Sequence, residues 1–157
     1  MLECMIVGDS IAVGVSAYRQ ECVAYAKGGI NTTQFNKIYV DKILEAKTVI
    51  ISLGSNDHQY VPTNYELLKV RGRISADKVF WILPQGNLKE SNVPIERVQE
   101  MVRKIANTMN DGVITFTPAP DGIHPTTKEY KRIAQEAQQP KDEDNDQGNF
   151  TKYHRPY

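Results

Sequence analysis

Residues 48–57 read TVIISLGSND, and this stretch decides the class of fold. Its first six residues are apolar or β-branched except for one serine, so a strand built from them needs cover on both faces. Residues 78–83, KVFWIL, have the same character. Continuous rather than alternating apolarity is typical of a parallel sheet, which has helices on both faces. Three shorter apolar segments complete the predicted sheet, at residues 4–7, 22–26 and 113–117.

Segments with the apolar spacing of helices alternate with these strands. Their apolar stripes consist of Phe35, Ile38, Tyr39 and Ile43, then of Val98, Met101, Val102, Ile105 and Met109, and finally of Tyr130, Ile133 and Ala137. The second of these helices is expected to begin near residues 91–92, with Pro94 in its first turn. The last is expected to open at Thr126, which has capping-box spacing to Glu129. Five strands alternating with helices predict a three-layer α/β fold.

The length of 157 residues suits one domain, which we assign to residues 1–139. The composition changes after that point. Residues 142–146 read DEDND, and the chain ends in a stretch that contains three aromatic residues, Phe150, Tyr153 and Tyr157. We expect residues 140–157 to form an acidic and then aromatic tail that is extended or disordered.

The charges exclude some classes of partner. The 19 basic and 19 acidic residues balance, so there is no electrostatic reason to expect nucleic acid or an anionic membrane surface as the main partner. No apolar run is long enough to span a bilayer, and the first residues lack the basic and apolar regions of a signal peptide. We expect a soluble protein made in the cytoplasm. A virion component, or a domain exported by another route, would have the same features.

Cys4 and Cys22 are the two cysteines of the chain. Their spacing is neither that of metal ligands nor that of a redox pair. The expectation is two buried thiols on strands. The alternative is a Cys4–Cys22 disulfide, since the two segments could be neighbouring strands.

Polar residues follow the predicted strands, and in a parallel α/β sheet functional groups gather at those carboxyl ends. Ser10 follows the first strand and precedes a predicted helix over residues 11–18, so it lies at a positive helix end. A serine hydroxyl needs an adjacent base to act as a nucleophile. His124, after the last strand, is the candidate base, and Asp121 is placed to hold its Nδ1–H. Considered singly, Ser10 also fits a helix N-cap and residues 121–124 fit a surface turn.

Hydrogen-bond donors follow two further strands. The backbone N–H of Gly29 and the side-chain amide of Asn56 are candidates, together with the backbone N–H of Ser10, to bind a developing oxyanion. Gly28 is an alternative to Gly29. Taken separately, each of these residues also fits a plain turn or a helix cap.

The order Gly-Asp-Ser, Gly, Gly-x-Asn-Asp and Asp-x-x-His resembles the four sequence blocks of the SGNH hydrolase superfamily, also called GDSL esterases and lipases. Ser10 falls in the first block, where Ile11 replaces the usual leucine. Gly29 fits the second block. Residues 54–57 match the third, with a serine where a second glycine is common, and residues 121–124 match the last. The resemblance covers all of the chain except the tail.

This resemblance implies a flavodoxin-like sheet in the strand order 2-1-3-4-5 and hydrolysis through an acyl-serine without metal or cofactor. His124 would take the proton of Ser10, Asp121 would orient His124, and the three donors would hold the oxyanion. A short chain without a lid suits a small acyl group, acetyl for instance, on a polar or sugar-like alcohol. Residues 84–88, after the fourth strand, are expected to form one wall of the acyl pocket.

Two other functions remain open at this stage. One is a binding module with this fold and an unused site, for example a glycan-binding protein. The other is a flavodoxin- or receiver-like switch, to which Asp9 at the first strand end gives slight weight, although the first loop lacks a phosphate-binding run of glycine, serine and threonine. His58 and His154 lack a carboxylate at comparable spacing and are expected to be bystanders, with His58 a candidate to line the cleft.

Overall fold

Seven strands and five α-helices make up residues 1–138, the part of the chain that a computed structural model describes. In chain order they are β1 (Cys4–Gly8), α1 (Ser10–Ser16), β2 (Val23–Ala26), α2 (Thr32–Ile38), β3 (Leu44–Glu45), β4 (Thr48–Ser52), α3 (Thr63–Arg73), β5 (Ile74–Ser75), β6 (Lys78–Ile82), a 3-10 helix (Lys89–Ser91), α4 (Ile95–Met109), β7 (Gly112–Ile114) and α5 (Thr127–Glu136). The predicted tail over residues 140–157, and the domain boundary before it, lie outside the described residues.

Five strands form one parallel sheet in the order β2-β1-β4-β6-β7. The short strands β3 and β5 pair with each other in a separate parallel sheet. The sequence did not predict β3 and β5. If the five strands of the main sheet are numbered without them, their order is 2-1-3-4-5, so the observed order differs from the order that the resemblance implies only in the strand numbers. The three-layer α/β fold with a five-stranded parallel sheet is confirmed.

Helices cover both faces of the sheet. The apolar side chains of α1 and α5 pack on one face, with Ile11 and Ile133 in the core. Those of α2, α3 and α4 pack on the other, where Phe35 and Val102 are fully buried. All residues of β1 and β4 are buried, as expected for central strands. Each fully buried large apolar side chain of this kind contributes about 1.5–3 kcal/mol relative to an exposed one.

Some predicted helices and strands differ from those observed. The helix expected near residues 91–92 begins at Ile95, because residues 89–91 form a 3-10 turn and Asn92 then adopts a left-handed conformation with φ 57°. The last strand is Gly112–Ile114 rather than residues 113–117. The predicted apolar stripe of α2 is too long, because it includes Ile43. The helix ends at Ile38, and the Ile43 side chain is 76% exposed. The helix α3 was not predicted at all.

Cys4 and Cys22 are joined in a disulfide, so the expectation of two buried thiols is wrong and the alternative is right. Cys4 lies in β1, and Cys22 directly precedes β2. Because Met5 is in register with Val23, the two cysteines are neighbours across the sheet, with 4.7 Å between their Cα atoms. That separation is within the range a disulfide spans.

None of the helices within residues 1–138 combines the length and apolarity needed to cross a membrane.

Candidate active site

The carboxyl ends of β1, β2 and β4 lie side by side. Gly8 is in register with Ala26 on one side and with Ser52 on the other. Backbone hydrogen bonds continue past the strands, from Asp9 N–H to the Ser52 carbonyl at 3.0 Å and from Lys27 N–H to the Gly8 carbonyl at 3.0 Å. The segments that hold Ser10, Gly28, Gly29 and Asn56 therefore leave the sheet at one edge.

Gly8 and Asp9 set the position of Ser10. A Cβ on Gly8 would lie 1.9 Å from the Ser52 carbonyl oxygen, and φ is 141°, so only glycine fits where the chain turns into α1. The Asp9 Oδ1 then accepts hydrogen bonds from Ile11 N–H and from the Ser52 hydroxyl, each at 3.0 Å. Asp9, and not Ser10, is thus the N-cap of α1. The alternative interpretation of Ser10 as a capping residue is wrong, and its side chain is left for other contacts.

Ser10, His124 and Asp121 form a continuous chain of hydrogen bonds. Ser10 Oγ lies 2.8 Å from His124 Nε2, although the two residues are 114 positions apart. His124 Nδ1 lies 2.7 Å from Asp121 Oδ2. A carboxylate at Nδ1 favours the tautomer with a proton on that nitrogen, and Nε2 is then the acceptor for the serine hydroxyl.

The Asp121 carboxylate is held in its charged form. The backbone N–H of Ile123 donates to its Oδ1 at 2.8 Å, and that of His124 does so at 2.9 Å. The hydrogen bond from Ile123, followed by those from the His124 side chain and backbone, lowers the pKa of Asp121 to about 2. Burial is not the cause, since the side chains of Asp121 and His124 are 49% and 40% exposed.

Backbone contacts fix the exposed loop that bears these two residues. Ala119 N–H donates to the His124 carbonyl at 2.7 Å, and Gly122 N–H donates to the Ala119 carbonyl at 2.8 Å. The loop after β6 closes on it from the other side, because a Cβ on Gly86 would lie 2.0 Å from the Gly122 carbonyl oxygen. The position of His124 thus depends on a close approach of two backbones.

The two glycines after β2 form a turn beside Ser10. Gly28 is the nearer, since a Cβ placed on it would lie 3.8 Å from the Ser10 Cβ, whereas one on Gly29 would meet no atom within 4 Å. Gly29 has a φ of 79°. Within residues 1–138, the backbone N–H groups of Ser10, Gly28 and Gly29 have no protein acceptor, so each is open to a ligand.

The Asn56 side chain is oriented toward this turn. Its Nδ2 donates to the Ile30 carbonyl at 2.9 Å, which fixes the plane of the amide and leaves its second N–H for another acceptor. The neighbouring Asp57 is fully buried and accepts hydrogen bonds from the backbone and hydroxyl of Thr32 and from the hydroxyl of Thr63. Asp57 thereby ties the segment after β4 to the starts of α2 and α3. This role of Asp57 is not evident from the sequence.

Asp9, directly after β1, is a second buried carboxyl group. Burial raises its pKa to about 6, against the lowering effect of hydrogen bonds from Ser52 and Ile11. Its Oδ2 has no hydrogen-bond partner among the described residues. Tyr130 of α5 lies close enough for this charge to matter, and burial followed by the charges of Asp9 and Asp121 raises the pKa of Tyr130 to about 12.

A cavity of about 190 Å³ adjoins Asn56. It is lined by Ser55, Asn56, His58, Leu88, Glu90 and Ser91. His58 therefore lines the cleft, as the sequence allowed, and Leu88 is the residue of the predicted wall over 84–88 that reaches this cavity. His154 lies outside the described residues.

One group of residues in the described chain has ligand atoms close enough to share a metal ion, namely Cys4, Glu21 and Cys22. Both sulfurs are already joined in the disulfide, so this group does not offer thiolate ligands.

No family model matches the chain, and no curated protein matches it in sequence. Solved structures do resemble it. A Bacteroides fragilis protein described provisionally as an acylhydrolase has a TM-score of 0.60 at 18% identity, over 85% of this chain and 83% of that one. The C-terminal catalytic domain of Streptococcus pneumoniae peptidoglycan O-acetyltransferase A has a TM-score of 0.58 at 17% identity, over 85% and 86%.

A carbohydrate esterase family 2 enzyme of Corynascus thermopiles, solved with its carbohydrate-binding domain, has a TM-score of 0.58 at 11% identity. The likeness covers 85% of this chain and 63% of that one. At these identities the comparisons establish the fold. The chain has the same fold as structures of acylhydrolases, esterases and an acetyl-transferring domain.

Proposed function

We propose that this protein is a serine ester hydrolase of the SGNH type, with Ser10 as the nucleophile, His124 as the general base and Asp121 as the residue that orients His124. The observation on which the proposal rests is the hydrogen-bonded chain from Ser10 through His124 to Asp121. Such a chain activates a hydroxyl that is otherwise a poor nucleophile at neutral pH. The likeness in fold to esterases and acylhydrolases supports the same reaction class.

The proposed reaction has two halves. His124 Nε2 takes the proton of Ser10 Oγ, which attacks the ester carbonyl carbon, and the carbonyl oxygen becomes an oxyanion. The N–H groups of Ser10 and Gly29 and the amide of Asn56 are the proposed donors to that oxyanion. His124 returns the proton to the alcohol oxygen as its bond to carbon breaks, which leaves an acyl group on Ser10.

Water completes the cycle. His124 takes a proton from a water molecule, the resulting oxygen attacks the acyl carbon, and the bond to Ser10 Oγ breaks. The proton then returns to Ser10 and the free acid leaves. Asp121 remains a carboxylate throughout, in keeping with its lowered pKa of about 2, and balances the positive charge that His124 acquires in each half.

We propose small acyl groups, acetyl above all, on carbohydrate alcohols as the substrate class. The partly exposed side chains of His124 and Asp121 favour a bulky, hydrated alcohol at the base. Two of the proteins with this fold are named for acetyl transfer on peptidoglycan and for carbohydrate ester hydrolysis. The alternative is a glycan-binding protein in which the same residues perform no reaction.

A fluorophosphonate probe separates the two functions, since it labels activated serines. The wild type is expected to be labelled and to hydrolyse p-nitrophenyl acetate. Both properties are expected to be lost in Ser10→Ala and in His124→Ala, with the fold unchanged by circular dichroism. A folded wild-type protein that is neither labelled nor active would refute the proposal and favour the binding protein.

A further inference from the structure

The cavity beside Asn56 is built by two loops that hold each other in place. The backbone N–H of Gln59 donates to the Ser91 carbonyl at 2.9 Å, which joins the segment after β4 to the 3-10 helix. The cavity has a volume of about 190 Å³, which is below the roughly 300–1,000 Å³ of pockets that enclose a whole drug-sized ligand. It has room for part of a ligand that continues outside.

Polar groups without partners surround this cavity. Ser55 is buried, and its Oγ has no hydrogen-bond partner among residues 1–138, an arrangement that is rare in folded proteins. Glu90 is exposed at the rim and makes no hydrogen bond or ion pair with another described residue. The Nδ1 of His58 accepts the N–H of Tyr60 at 3.2 Å, which favours the tautomer with a proton on Nε2 and makes that nitrogen a donor.

Apolar surface completes the lining, and the exposed Leu88 is part of it. An apolar wall next to a carboxylate acceptor and an imidazole donor matches a sugar, which has a C–H face and a hydroxyl edge. An acyl chain in the same place would contact the apolar wall but would make no hydrogen bond with Glu90 or His58.

We propose that this cavity binds a sugar unit of the alcohol part of the substrate, with Glu90 accepting from a sugar hydroxyl and Leu88 contacting the sugar face. The inference rests on the proposed function, because Asn56 places the cavity next to the proposed oxyanion position. It assigns Glu90, His58 and Leu88 to substrate selection rather than to the chemical steps.

The test compares an ester that has a sugar with one that does not. The substrates are acetylated xylotetraose, acetylated chitotetraose and p-nitrophenyl acetate. Glu90→Gln is expected to lower kcat/KM about tenfold on at least one acetylated sugar, by loss of a hydrogen bond to a charged group, and to change it less than about twofold on p-nitrophenyl acetate. The matched control is Glu100→Gln, an exposed glutamate of α4 that does not line the cavity, and it is expected to change neither.

Equal effects of Glu90→Gln on all substrates, or no effect on either sugar, would overturn the proposal. Leu88→Ala tests the acyl alternative on p-nitrophenyl acetate, butyrate and hexanoate. A change of more than about threefold in the relative rates of these three esters would show that the cavity holds the acyl chain, which would also overturn the proposal.

A binding measurement separates failure of this proposal from failure of the proposed function. Calorimetry with unacetylated xylotetraose and chitotetraose is done on Ser10→Ala protein, with and without Glu90→Gln. Binding of either sugar that is weakened by Glu90→Gln supports the sugar subsite, even if the wild type hydrolyses no ester. Binding of neither sugar, or binding that is insensitive to Glu90→Gln, refutes it.

Discussion

Replacing Asp9 by asparagine is expected to change the stability of the protein by an amount that depends on pH. Asp9 is fully buried one residue before Ser10. Asparagine has the same shape, so its Oδ1 keeps the hydrogen bonds from Ile11 N–H and the Ser52 hydroxyl. Its amide nitrogen takes the place of Oδ2, which has no partner in the described chain. The part of the change that depends on pH is therefore the loss of a buried carboxyl group that titrates.

The magnitude follows from the raised pKa. Burial raises the pKa of Asp9 to about 6 from its ordinary value of 3.8. Between these two values the folded protein keeps a proton that the unfolded chain has lost, so the free energy of unfolding falls as pH rises through this window. A difference of about two pKa units corresponds to roughly 3 kcal/mol at about 1.4 kcal/mol per unit. This cost is absent below about pH 4, complete by about pH 7, and absent at all pH values in Asp9→Asn.

Urea unfolding at several pH values between about 4 and 8, followed by the fluorescence of the single, fully buried Trp81, measures this difference. The free energy of unfolding of Asp9→Asn minus that of wild type is expected to rise by about 2–3 kcal/mol from pH 4 to pH 7. Asp41→Asn, at an exposed aspartate, controls for the loss of a carboxylate. A difference between Asp9→Asn and wild type that stays constant within about 0.5 kcal/mol would refute the reasoning.

Three further outcomes are expected. Asn56→Ala lowers kcat on p-nitrophenyl acetate by about 100- to 1,000-fold, as does loss of one oxyanion donor, while a drop below about threefold would remove this amide from the site. Gly86→Ala forces the loop of His124 away and lowers kcat at least about tenfold. The control is Gly72→Ala, whose added Cβ has no atom within 4 Å, and it leaves kcat unchanged and stabilises α3 by about 0.5–1 kcal/mol. Equal kcat values for the two variants would contradict this expectation. Reducing the bond between Cys4 and Cys22, which are 18 positions apart, lowers the free energy of unfolding by about 3 kcal/mol in urea titrations, and an unchanged midpoint would show that the bond does not form.

Burial on both faces explains why the sheet was predictable. β1, β4 and most of β6 are buried throughout, so their apolar runs are visible in the sequence. The helix α3 was missed because two of its four buried positions are Thr63 and Glu66, which interrupt the apolar stripe. The Glu66 carboxylate accepts hydrogen bonds from Thr33 and Asn36, which lie 33 and 30 positions away in the chain, and spacing along the sequence does not reveal such partners.

The candidate site divides in the same way. The order of blocks in the sequence predicted that Ser10, Asp121 and His124 would meet, and the structure places them in hydrogen-bond contact. The sequence favoured free thiols and offered the Cys4–Cys22 disulfide only as an alternative, and it did not indicate the approach of Gly86 to the loop of His124. Both depend on which backbones become neighbours, and periodicity within a single segment does not contain that information.

The two halves of the site are held by different forces, and this determines how each responds to mutation. On the Ser10 side, Asp9 is fully buried and Gly8 leaves no room for a Cβ, so a substitution there alters the free energy of unfolding. On the other side Asp121 is exposed and His124 is half-buried, and both are positioned by a few backbone hydrogen bonds and by the contact with Gly86. Few buried atoms depend on that loop, so a substitution in it is expected to alter the Ser10–His124 distance, and with it kcat, at little cost in stability. Activity and stability should therefore vary independently across this site, and variants that always lose both together would show that the loop belongs to the core after all.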